Sequence, residues 1–159
     1  MATIWQLIER RAGETPDDVM LIDESDRRVT FGEFRDQAAA LAAGLAGAGI
    51  GSESRVTWQL PSSIDAAITM AALSRLDAVQ CPVLHLYRKK ELGFVLKHTG
   101  AEYCIVPGEW KGFDYTAMAD ELAADLDPSP VVLTLGSLPT GDPSTLPPAA
   151  NPADGDEPV

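Results

Sequence analysis

Between Arg55 and Leu135 the chain alternates short β-prone runs with helical ones, and this alternation constrains the fold more than any other feature. The runs "RVTWQLP", "AVQCPVL", "AEYCIV" and "VVLTL" are rich in β-branched and apolar residues. Between them, "SSIDAAITMAALSRLDA", "RKKELGFVLKHTG" and "TAMADELAADL" carry apolar residues at helical spacing. A strand–helix–strand order repeated in this way packs as βαβ crossovers on a parallel sheet. The expected fold is therefore α/β, a three-layer βαβ parallel-sheet subdomain. Ser62 or Ser63 caps the first of these helices, Gly100 closes the second, and "WKGFDY" reads as a turn.

Upstream, "TIWQLIERRAGETPDD" predicts a helix capped by Thr3, with Ile4, Leu7 and Ile8 on one face and Gly13 and Pro16 ending it. The short runs "VMLID" and "RRVT", joined by "ESDR", predict a small hairpin. A long alanine-rich helix follows from Phe31 to Ile50. Thr30 and Glu33 form a capping box at its start, and Phe34, Leu41 and Leu45 make an apolar stripe. Gly44 and Gly47 weaken that helix unless something packs closely against them, and Gly49 lies near its C-cap. After Leu135 periodicity ends, and eight of the twelve prolines lie from Pro128 onward. The organisation is thus an α/β part over 1–135 and a Pro-rich acidic connector or disordered tail over 136–159.

The net charge of -12 is unevenly placed, because eight acidic and no basic residues lie from Asp120 onward. No basic stripe exists beyond "YRKK", which speaks against nucleic acid as a partner. No run resembles a signal peptide or reaches the length of a membrane span, so the chain is read as cytoplasmic. Cys81 and Cys104 sit among apolar neighbours and read as buried, reduced thiols.

No assembled active site is legible. "GLAGAGIG" follows a helix and precedes a strand, the reverse of the order a dinucleotide loop needs. No Walker lysine motif and no GxSxG elbow occurs. His98 stands at a helix end, where it meets the last carbonyls, and Asp125 and Asp127 read as a solvated helix end. His85 follows a strand, at the edge where open α/β sheets place ligands; its ordinary reading is packing or solvent exposure. Arg88, Lys89 and Lys90 lead into a helix with Glu91, either as a solvated first turn or as a contact for a phosphate-bearing ligand. No catalytic residue and no metal ligand is assigned, and cofactor contacts stay open.

The segment order resembles the adenylate-forming acyl-CoA synthetases, the AMP-binding enzymes, and most nearly their fatty-acid or cyclohexanecarboxylate CoA ligase type. The resemblance rests on Thr30, Phe31 and Glu33 opening a long helix, on "GIGSESRVTWQLP", on "DAVQCPVLHLYRKKE" with Arg88 and Glu91, and on "GFDYTAMADEL". Ser54, Ser62, Asp77 and His85 depart from residues usual in the family. The resemblance implies that a full-length enzyme joins a carboxylic acid to coenzyme A through an acyl-adenylate, using ATP and Mg2+. It also implies that the phosphate loop, the magnesium-associated glutamate and the adenylating lysine lie beyond Val159. The expectation is then an N-terminal piece, inactive alone, that self-associates through exposed apolar surface. The alternatives are a non-catalytic partner-binding domain and a small enzyme built on His85 and Arg88.

Overall fold

The structure, a computed structural model, describes residues 2–149. In chain order the elements are α1 (Ile4–Glu14), β1 (Val19–Ile22), β2 (Arg28–Thr30), α2 (Phe31–Gly47), β3 (Arg55–Trp58), α3 (Ile64–Arg75), β4 (Val79–Pro82), α4 (Lys89–Thr99), β5 (Tyr103–Val106), β6 (Glu109–Trp110), β7 (Phe113–Asp114), α5 (Tyr115–Ala124) and β8 (Val131–Thr134). Two 3₁₀ turns follow, at Leu135–Ser137 and Pro143–Thr145. The described residues divide into two compact units, one of residues 2–51, 67–77 and 139–149, the other of Ser52–Ala66 and Ala78–Leu138.

In the first unit, α1 and α2 start with the same device. The Thr3 hydroxyl accepts from Gln6 N–H at 3.1 Å while the Gln6 side chain accepts from Thr3 N–H at 3.0 Å. Thr30 and Glu33 repeat the pair at 3.2 and 2.9 Å. Each box satisfies two N–H groups that a helix start otherwise leaves open. The buried stripe of α1 is Trp5, Ile8 and Ala12, whereas Ile4 and Leu7 are 52% and 44% exposed. The sequence reading had grouped Ile4 and Leu7 with Ile8. The indole of Trp5 decides otherwise, because burying it turns Ile4 and Leu7 outward. Phe34, Ala38, Leu41 and Leu45 of α2 are buried as its spacing requires.

β1 and β2 form the antiparallel hairpin, and Asp23 closes its turn by accepting from Ser25 and Arg27 N–H at 2.8 and 3.0 Å. The start of the connector packs in this unit as well. Gly141 N–H donates to the Ala40 carbonyl at 2.9 Å, and a Cβ on Gly44 would overlap the Pro139 carbonyl. Gly47 meets nothing within 4 Å. Close approach thus accounts for Gly44 and not for Gly47. Of the connector expected over 136–159, residues 150–159 lie outside the described residues.

The second unit holds the parallel sheet, with strand order β4-β3-β5-β8. Thr57 is in register with Cys81 and Cys104, and Cys104 with Val132, so these four side chains share one face. That face packs on α4 and α5 through Leu92, Leu96, Tyr115, Met118 and Ala119. Each fully buried leucine there contributes about 1.5–3 kcal/mol. "WKGFDY" is more than a turn: β6 and β7 pair as a short antiparallel hairpin. Lys111 and Gly112 between them have φ of 50° and 75°, the left-handed pair that a two-residue hairpin loop demands.

Cys104 is buried, while Cys81 is only half-buried, and both are free thiols. Burial, seconded by the charge of Asp120, pushes the Cys104 thiol from its ordinary value near 9.0 up to about 12. The unfolded chain therefore ionises first as pH rises, so it binds fewer protons than the folded one. Stability contributed by this group is complete below pH 9.0 and is lost progressively towards about 12. Urea midpoints measured across that range should fall less steeply for Cys104→Ala than for the unaltered chain.

Candidate functional site

Parallel strands open their C-terminal ends towards ligands in α/β sheets. At that end, beyond β4, residues Leu84 to Arg88 form a loop whose carbonyls are gripped by side chains. Gln59, immediately after β3, is fully buried, and its amide donates to the Leu84 carbonyl at 2.9 Å and the Tyr87 carbonyl at 3.1 Å. The Tyr115 hydroxyl donates to the His85 carbonyl at 2.8 Å. The Arg88 guanidinium donates to the same carbonyl at 2.8 Å and to that of Tyr87 at 2.9 Å.

Aromatic rings complete the cluster. The Arg88 guanidinium lies 4.3 Å from the Phe113 ring centroid and 5.3 Å from that of Tyr115. Such stacking holds the fork in place, which a lysine at this position would not do. The His85 imidazole meets Trp110 edge-on at 4.8 Å. Glu91 accepts from Arg88 N–H at 3.2 Å, so the Arg88–Glu91 pair of the sequence is a helix-start device. A hydrogen bond from its own backbone N–H, then the bond from Arg88 N–H and the nearby charge of Lys90, hold the Glu91 carboxyl below its ordinary value. Lys89 is paired with Glu121.

His85 and Arg88 are therefore neighbours, but the contact runs through the His85 main chain and leaves the imidazole on Trp110. His98 stacks on Phe94, with ring centroids 5.3 Å apart, in the last turn of α4. A cavity of about 270 Å³ lies at that other end of α4, lined by Leu96, Lys97, Gly100, Ala101, Asp125, Leu126, Asp127 and Pro128. Among the described residues no three of His, Cys, Asp and Glu come together as a metal-holding set. No described helix is long and apolar enough to cross a membrane.

Sequence reasoning missed Gln59 and Tyr115. The signal for Gln59 was an amide one residue past a buried strand, in register with its inward positions. Its Oε1 and the Thr57 hydroxyl are both buried without a partner among the described residues. Tyr115 had no local signal, because its hydroxyl reaches a loop 30 positions away.

A model of the AMP-binding enzyme family matches residues 8–158. The chain is 32% identical over 146 residues to the 2-hydroxy-7-methoxy-5-methyl-1-naphthoate–CoA ligase of Streptomyces carzinostaticus, across 92% of this chain and 26% of that protein. It is 33% identical over 127 residues to the salicyl-AMP ligase / salicyl-S-ArCP synthetase of Mycobacterium tuberculosis, across 77% and 22%. Among solved structures, the Klebsiella oxytoca NpsA N-terminal subdomain in complex with 3-hydroxybenzoyl-AMSN aligns at a TM-score of 0.70. The identity there is 26%, over 86% of this chain and 31% of that one. The chain spans about a quarter of the length of these curated relatives.

Proposed function

Because the chain belongs to the AMP-binding enzyme family, we propose that it is the N-terminal scaffold of an ATP-dependent carboxylate ligase. In the parent reaction a carboxylate oxygen attacks the α-phosphorus of ATP and pyrophosphate leaves. The thiol of coenzyme A then attacks the acyl carbon and AMP leaves, giving the thioester. The observation that carries this reading is the unbroken family match over residues 8–158, which runs through both compact units.

The acid is an aryl carboxylate in this reading, since the two relatives above are named for a naphthoate and a salicylate. Fatty acids, the class expected from the sequence resemblance, are the competitor, because medium-chain ligases match as well. In this reading the chain does not adenylate by itself. The step needs positive charge or metal against the phosphorus oxygens. At the candidate site Arg88 is committed to two carbonyls and two rings and Lys89 to Glu121, and among the described residues no three of His, Cys, Asp and Glu gather to hold Mg2+.

The test is ATP–pyrophosphate exchange with salicylate-type and medium-chain acids. It is run on this chain and on the product that its native host makes from the same gene. Acid-dependent exchange by the native product, with none from the chain, is the expected result. Exchange by the chain alone would overturn the scaffold reading. A native product of the same length that neither exchanges nor binds acid would overturn the ligase reading and leave a partner-binding domain.

A further inference from the structure

The connector that follows β8 is fastened along its length rather than loose. Pro139 and Thr140 lie over Gly44 so closely that a Cβ there would meet their backbone, and Gly141 N–H donates to the Ala40 carbonyl at 2.9 Å. The 3₁₀ turn at Pro143–Thr145 then packs on α2, and Asp142 starts that turn by accepting from Ser144 N–H at 2.9 Å. Arg75, the last residue of α3, donates from its guanidinium to the Pro147 carbonyl. Asp142 is the one charge between Pro128 and Ala149, and it is used inside the turn. The contacts at Gly44, Ala40 and Arg75 therefore all fall on connector backbone.

Arg75 is itself held in place. Its guanidinium lies 5.8 Å from the ring centroid of Trp5, an indole only 3% exposed. A flat cation resting on a buried ring loses less freedom when it bonds a carbonyl than a lysine ammonium would. Chain released after Gly141 would spread over about 15 Å by Ala149, whereas chain held at Pro147 reaches there within about 7 Å. Arg75 thus decides whether the exit of the connector is a fixed point or a wandering one. Trp5, Ala40, Gly44, Arg75 and residues 139–147 all belong to the first compact unit.

We propose that Arg75 is a positioning residue for adenylation. By holding the Pro147 carbonyl it fixes where the chain leaves this unit for the part of the ligase that meets ATP. The inference rests on the ligase reading above, in which the charge or metal that adenylation needs comes from outside the described residues. The family match runs on through the connector to residue 158, so the fastened stretch belongs to the enzyme and is not an appendage. An alignment error of about 1 Å can cost up to about a hundredfold in rate, even when the altered residue lies far from the chemistry. Alignment in the transition state is what such an error removes, so the loss falls on kcat rather than on KM.

The test is steady-state ATP–pyrophosphate exchange by the native product, unaltered and as Arg75→Met and Arg75→Lys, well below every melting temperature. Proteolysis between Leu138 and Ala149 is read on each. Arg75→Met keeps an apolar stem over Trp5 and has no donor, while Arg75→Lys restores one. The expected result for Arg75→Met is a kcat about tenfold lower, with KM for acid and ATP little changed and faster cleavage in the connector. Arg75→Lys should recover most of the rate. Should Arg75→Met fold poorly, Gly44→Ala tests the same seat, because its Cβ displaces Pro139 and leaves Arg75 unaltered. An unchanged kcat in the variant used overturns the proposal, as does a loss that Arg75→Lys shares in full. Absence of exchange by the unaltered product is a separate failure: the ligase reading falls, and the positioning role with it.

Discussion

Tyr115→Ala should lower the unfolding free energy by about 3–5 kcal/mol, while Tyr115→Phe should lower it by only about 1 kcal/mol. The ring is buried at 1% exposure, with the Phe113 centroid 4.9 Å away and that of Trp110 at 6.4 Å. Removing it opens a cavity among Leu92, Leu96 and Met118 and takes away one of the surfaces on which Arg88 rests. The hydroxyl is different, because the His85 carbonyl that it serves still has the Arg88 guanidinium at 2.8 Å. No acceptor is left unsatisfied in Tyr115→Phe, which keeps the loss small. Urea denaturation of both variants separates the two contributions, provided that m is unchanged. Equal losses would mean that the hydroxyl, and not packing, holds the 84–88 loop. For a domain whose total stability is about 5–15 kcal/mol, the alanine variant approaches unfolding.

Gly44→Ala and Gly47→Ala should move stability in opposite directions, although both replace a glycine in α2. At Gly44 the added Cβ would overlap the Pro139 carbonyl and come within 2.6 Å of the Thr140 nitrogen. Those are backbone atoms, so the connector must lift away. Lifting breaks the Gly141-to-Ala40 hydrogen bond and the Arg75 contact with the Pro147 carbonyl. The loss should be about 1–3 kcal/mol, even after the gain of about 1 kcal/mol in helix propensity. At Gly47 there is open space, so only the propensity gain applies and the variant should be more stable by about 1 kcal/mol. Thermal melts give the signs, and proteolysis between Leu138 and Ala149 reports the lifted connector directly. If Gly44→Ala left cleavage there unchanged, close packing would not be the reason for the glycine.

Much of the fold was legible because it is local. The threonine boxes at Thr3 and Thr30, the Gly100 cap and the four parallel strands all follow from residues within a few positions of one another. The Ser63 cap, read as one of two candidates, has its hydroxyl accepting from Ala66 N–H at 3.1 Å. The β6–β7 hairpin was lost in the reading because two-residue strands give no periodicity to detect. The face of α1 was misjudged because Ile4 and Leu7 look apolar enough to be buried, and only the indole of Trp5 says which side wins. At the candidate site, Arg88 and Glu91 were visible as a pair, yet their role at the start of α4 needed the hydrogen bond at 3.2 Å to be seen. His85 was singled out for its imidazole, whereas the structure uses its carbonyl.

By itself the sequence determined the helices, the first hairpin and the four strands of the parallel sheet, though not the β6–β7 hairpin or the end of α2 at Gly47. It also determined the family, since the match follows the order of residues along the chain. Only the tertiary structure decided the strand order β4-β3-β5-β8, the grip of Gln59 and Tyr115 on the 84–88 loop, and the seat of the connector over Gly44. The division has a physical cause. Caps and periodicity are set by backbone groups a few residues apart, but these other features arise where segments distant in the chain compete for the same buried space and the same hydrogen bonds.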